Sequence, residues 1–200
     1  MRTKDVHTLQ RRVRRGVGLA ELLIALAITS MLLTAVAMAL DASFHSYRVN
    51  QEQSALTQRA RLAMHRILTS VRQHDAHAPA TSSQLVNFSL GIRINDTGIA
   101  MLDDAGNDII YRYDAPNQRI IYDFNGTART LLDGVTQFQV SLEPMRSATS
   151  IRTGGGYDLL NRATVLLTVR TTDKTSMASE TTGQQTVTLS SSAQPRRNVW

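Results

Sequence analysis

The chain has no cysteine. That excludes disulfides, Cys-based zinc sites and thiol catalysis. It does not exclude export, because exported domains need not carry disulfides. Proline is absent before Pro79, and residues 41–75 hold neither proline nor glycine, so nothing there interrupts a helix. Net charge is also small over most of the length. Of the formal net charge of +6, residues 1–16 carry +5: Arg2, Lys4, Arg11, Arg12, Arg14 and Arg15 against Asp5. The remainder carries about +1, so the high pI is poor evidence for a nucleic-acid-binding body. With 200 residues, there is room for one anchoring helix and one small domain with its own core.

What is present begins with a long apolar run. Residues 22–40 are uncharged, and from Val17 to Leu40 the only charge is Glu21. At about 1.5 Å per residue such a helix crosses a hydrocarbon core of roughly 30 Å. Arginines crowd one side and Asp41 follows the other, so the positive-inside rule puts residues 1–16 in the cytoplasm and the rest, after about residue 41, outside.

Three readings fit this pattern: a plain anchor, a secretory signal peptide, and a leader cut off before the apolar segment. Ala35-Val36-Ala37 and Ala37-Met38-Ala39 look like signal-peptidase sites. Glu21 discriminates. A carboxylate in an apolar span is costly, and neither an anchor nor a signal sequence has a use for it. Cleavage after Gly16 gives it one, because it frees an α-amino group on Val17, four residues earlier on the same helix face. The amine of one subunit can then pair with Glu21 of a neighbour in a low-dielectric medium.

The segment Arg14-Arg15-Gly16-Val17-Gly18-Leu19-Ala20-Glu21, followed by the apolar run, resembles the class III signal of type IV pilins and type II secretion pseudopilins. The resemblance implies a prepilin peptidase that cuts after Gly16, methylation of Val17, and an assembly role for Glu21 as the acidic fifth mature residue. The chain departs from the family in three ways. Val17 stands where Phe or Met is usual, Gly18 and Ala20 are smaller than the common residues, and the apolar helix lacks proline.

After the span, apolar residues recur at Val49, Leu56, Ala60, Ala63, Ile67 and Val71 among polar ones, an amphipathic helical stripe. Ala78-Pro79-Ala80-Thr81-Ser82-Ser83 is a break. Beyond it the period turns to alternation, which predicts strands in 91–95, 99–102, 108–114, 119–124, 137–142, 163–170 and 186–189, with a hairpin turn at Ala115-Pro116-Asn117-Gln118. Thr153-Gly154-Gly155-Gly156 and residues 171–185 read as loops. The expected fold class is α+β: a long N-terminal helix, its first half transmembrane and its second half amphipathic, packed on a C-terminal antiparallel sheet. The expected organisation is a leader at 1–16, a transmembrane helix at 17–40, an amphipathic continuation at 41–77 and a periplasmic β domain at 78–200.

The stretches around 119–124 and 131–138, with the Val-rich strand near the end, resemble minor pseudopilins of the J type and related minor pilins. The resemblance implies a filament subunit rather than an enzyme. Its partners would be other pilin or pseudopilin subunits, the prepilin peptidase, an inner-membrane assembly platform and inner-membrane lipid, with no specific nucleic acid. A binding module for DNA, a surface or a secreted substrate is the competing reading, hinted at only by Pro195-Arg196-Arg197.

Catalytic and cofactor signals are weak. His74-Asp75-Ala76-His77 sits at an expected helix end, where His suits the dipole. Asp103-Asp104-Ala105-Gly106-Asn107-Asp108 lacks the spacing of a calcium loop and reads as a solvated turn. The glycines at 154–156 have no following lysine. No metal, cofactor or catalytic residue is assigned.

Overall fold

The computed structural model describes residues 18–145, 158–171 and 185–196. The expected leader, Val17, the expected Gly-rich loop at 153–156, all but the two ends of the expected loop at 171–185, and Arg197 lie outside them. The chain divides into two compact units, Met1–Phe44 and His45–Trp200.

A single helix, α1 (Leu19–Gln73), runs from the first unit into the second. Its sequence has no proline or glycine to stop it. In the first unit its apolar side chains are solvent-facing all round, from Leu19 through Met31 to Leu40. It is long and apolar enough to cross a membrane, which suggests anchoring. Its hydroxyls are satisfied locally. Thr29, Ser30 and Thr34 donate to the carbonyls of Ala25, Ala27 and Ser30 at 2.7–2.8 Å, so they need no water.

In the second unit α1 buries one stripe: Ala60, Ala63, Met64, Ile67, Leu68 and Val71. The spacing of three and four residues is the period of one helix face. Leu56 packs against this core, while Val49 is only half-buried. Met64 and Leu68 join the stripe between the expected positions.

The stripe packs on a sheet that has, among the described residues, nine antiparallel strands: β1 (Ala76–Pro79), β2 (Ile94–Asp96), β3 (Gly98–Leu102), β4 (Asp108–Asp114), β5 (Arg119–Phe124), β6 (Thr127–Asp133), β7 (Val135–Pro144), β8 (Asp158–Arg170) and β9 (Thr186–Ala193). Their order is β2-β7-β8-β1-β3-β4-β5-β6, with β9 beside β8. The α+β layout expected from the sequence is the one observed. Phe138, Val140 and Leu142 of β7 and Ala163, Val165, Leu167 and Val169 of β8 alternate into the core.

Polar contacts fix the helix on the sheet. The Tyr111 hydroxyl and Ser70 Oγ are 2.9 Å apart. The Arg66 guanidinium lies 4.6 Å from the centre of the Tyr122 ring. Tyr111 and Tyr122 are cross-strand partners on β4 and β5, with ring centres 5.2 Å apart.

Several elements differ from the sequence expectation. The helix ends at Gln73, and Ala76–Pro79 is a fully buried strand between β3 and β8. Its Ala-His-Ala-Pro sequence has low β propensity, and tertiary pairing overrides it. A short helix, α2 (Leu85–Ser89), places Phe88 in the core. The expected strand at 91–95 is confined to β2, starting at Ile94. β6 went unread because it is exposed over its first four residues and shows no apolar alternation. Its signal is Asn125-Gly126, both at positive φ (48° and 83°), the turn that joins β5 to β6.

Two expected outcomes follow from this packing. A Cβ on Gly98 would stand 2.5 Å from the Tyr111 carbonyl oxygen and 2.6 Å from Ala80 Cβ. Gly98→Ala should therefore cost about 1–3 kcal/mol by overpacking, read as a lower denaturation midpoint of the second unit; an unchanged midpoint would contradict the close approach.

His77 on β1 is wholly buried, with Nε2 3.1 Å from the Val71 carbonyl oxygen. Burial lowers its pKa from 6.5 to about 4, against the opposing pull of the Val71 hydrogen bond. An unfolded His77 takes up a proton below about pH 6.5 that the folded one refuses until about pH 4. Stability from this group is thus full above pH 6.5 and erodes by on the order of 3 kcal/mol as the pH falls to about 4. His77→Gln should flatten the pH dependence of urea unfolding between pH 6.5 and 4. An equally steep acid slope in the variant would refute the assignment.

Candidate functional site: the helix start and Glu21

Of the three residues singled out from the sequence, Glu21 is described, and Gly16 and Val17 lie just before the described residues. Gly18 precedes the first helical residue, and its carbonyl accepts the first helical hydrogen bond from Leu22 N at 3.1 Å. Glu21 is the third residue of α1. Its Oε2 accepts a hydrogen bond from Gly18 N at 3.1 Å. This is the reciprocal half of a capping box, in which an acid at the third helical position satisfies the amide of the capping residue. The carboxylate also lies in the first turn, where the helix dipole favours negative charge.

The spacing Gly18-Leu19-Ala20-Glu21 carried this capping signal, and the sequence reading missed it. The consequence is geometric. Glu21 is turned back toward the start of its own helix, the end that bears Gly16 and Val17 in the sequence. It is the only ionisable side chain from Gly18 to Leu40. A negative group held at the head of this apolar span is suited to receive a cation there.

The other sequence candidates are engaged in structure. His74 Nδ1 lies 2.7 Å from the Ser70 carbonyl oxygen and the buried His77 has its Nε2 3.1 Å from the Val71 carbonyl oxygen, so each ring has a backbone partner. Asp103 organises its own turn. Its Oδ1 accepts from the backbone amides of Ala105 and Asn107 at 3.0 and 2.7 Å, and its Oδ2 from Asn107 Nδ2 at 2.9 Å. The hydrogen bonds from Asn107 hold its pKa below the usual value. Among the described residues, no group of three or more His, Asp or Glu side chains is placed to hold a metal ion.

Neither a curated protein nor a solved structure matches the chain. Residues 11–37, which take in Gly16, Val17 and Glu21, match the family model described as "Prokaryotic N-terminal methylation motif", and this match supports a type IV pilin-like prepilin with a membrane-anchoring N-terminal helix.

Proposed function

We propose that the chain is a minor pilin or pseudopilin of the J type or a related minor pilin, which helps initiate, cap or modify a filament of a type II secretion or type IV pilus machine. It acts as a structural subunit and as a substrate, not as an enzyme. A prepilin peptidase cuts between Gly16 and Val17, and Val17 is methylated. The helix from Val17 holds the subunit in the bacterial inner membrane, with the leader in the cytoplasm and the β domain in the periplasm. An inner-membrane assembly platform then moves it into the filament, where apolar helices pack side by side.

The observation that carries this reading is the carboxylate of Glu21, the one charge between Gly18 and Leu40, placed at the head of the helix within the matched motif. In the subunit alone, that carboxylate caps its own helix. In the filament it accepts the amine of a neighbour's Val17. Two unit charges about 4 Å apart attract by about 4 kcal/mol at an effective dielectric near 20, enough to offset much of the desolvation of each and to fix axial register.

Two substitutions separate processing from assembly. Gly16→Asp should leave an uncut precursor on an immunoblot of membranes, and a mature-sized band would sink the cleavage assignment. Glu21→Gln should still be cut but appear in sheared filaments at least tenfold less than the parent, and parental incorporation would refute charge pairing.

A further inference from the structure

Edge strands expose unpaired backbone groups, and folded proteins usually blunt them by shortness, charge or proline. Two of the edges here are blunted. β2 has three residues, and β6 carries Arg129 and Asp133. β9 is different. It is eight residues long, Thr-Val-Thr-Leu-Ser-Ser-Ser-Ala, without charge or proline. Among the described residues it pairs with β8 alone.

A groove of about 300 Å³ runs between the unpaired side of β9 and the flank of α1. It is lined by three consecutive β9 residues, Leu189–Ser191, and by no residue of β8, which places it on the open side of the strand. Met64, Leu68 and Leu189 give it an apolar floor, and Arg61, His65 and Arg72 form its helical wall. Beyond Arg72 the same flank continues to Arg196, whose backbone amide donates to the Arg72 carbonyl at 3.0 Å. No aspartate or glutamate lines the groove or its continuations toward Arg196 and toward Asn50. Among the described residues, Arg61, Arg72 and Arg196 have no acidic partner, whereas Arg162 nearby is paired with Glu143 at 3.0 Å.

We propose that this groove is a docking site for an extended acidic segment of another protein, which adds to the sheet as a strand beside β9. The open backbone supplies the ladder, the apolar floor takes every second side chain, and the arginines select carboxylates. Arg61 and Arg72 are three helical turns apart, about 16 Å. Acidic residues four apart on one strand face are about 13 Å apart, and the length of the two arginine side chains closes the remaining few ångströms. The uncharged β9 edge favours a peptide over a nucleic acid, which has no backbone ladder to offer it.

The full chain in nonionic detergent, titrated into a fluorescent ten-residue Val/Thr peptide with two glutamates four residues apart, tests this by anisotropy. The glutamate peptide should bind at least tenfold more tightly than its lysine counterpart. Arg61→Glu with Arg72→Glu should reverse that preference. Methylating alternate peptide nitrogens in one of the two phases should abolish binding. Hydrogen exchange at residues 186–193 should slow in the complex. Equal binding of the two peptides, indifference to methylation in both phases, or unchanged exchange over 186–193 would each overturn the proposal. So would a single-stranded oligothymidylate that binds the groove more tightly than the peptide.

Discussion

The second unit depends on one buried helical face. Ala60, Ala63, Met64, Ile67, Leu68 and Val71 supply the helical side of a core whose other side is the inward alternation of β7 and β8 together with Ile99, Met101, Tyr111 and Ile120. A sheet with an uncovered apolar face would not remain monomeric in water, and α1 is the long element placed to cover it. Ala60 and Ile67 are wholly buried in that core, and Ala63, Met64 and Leu68 nearly so. Ser70–Tyr111 and Arg66–Tyr122 add directional contacts at the margin of this apolar interface, which set rotation more than they add stability.

The same helix meets a different demand in the first unit. There, from Leu22 to Leu40, the apolar side chains are exposed and the backbone-bonded hydroxyls of Thr29, Ser30 and Thr34 leave no polar side chain in want of water. Glu21 is the exception, and its capping bond to Gly18 accounts for how a carboxylate is tolerated at that end. The two roles of Glu21, cap in the free subunit and ion-pair partner in the proposed filament, share one requirement: the carboxylate must face the helix start. A glutamine could keep the cap in part but not the charge.

The helix, the β4–β5 hairpin and the strongly alternating strands were legible because each is dictated locally. The absence of proline and glycine from 41–75, the Pro-Asn turn at 116–117, and the β-branched run at 163–170 leave few alternatives. Asp114 reinforces that turn by accepting from Asn117 Nδ2 and Arg119 Nε. What escaped the sequence is tertiary in origin. β1 is a strand because β3 and β8 flank it, and His77 belongs to the core because β1 does. β6 is an edge strand whose exposed residues carry no alternation. In the candidate site, Glu21 was found as a misplaced charge, whereas its bond to Gly18 was not, although the capping spacing was present. Gly16 and Val17 rest on sequence and on the matched motif alone.

The central claim concerns a covalent event at one bond. Mass spectrometry of the N-terminal peptide, taken from the protein purified from the membranes of a bacterium that has a prepilin peptidase, addresses it directly. The account requires a chain that begins at Val17 and carries one added methyl group on its α-nitrogen. A chain that still begins at Met1, or one that begins near Asp41 after loss of the apolar helix, would contradict it.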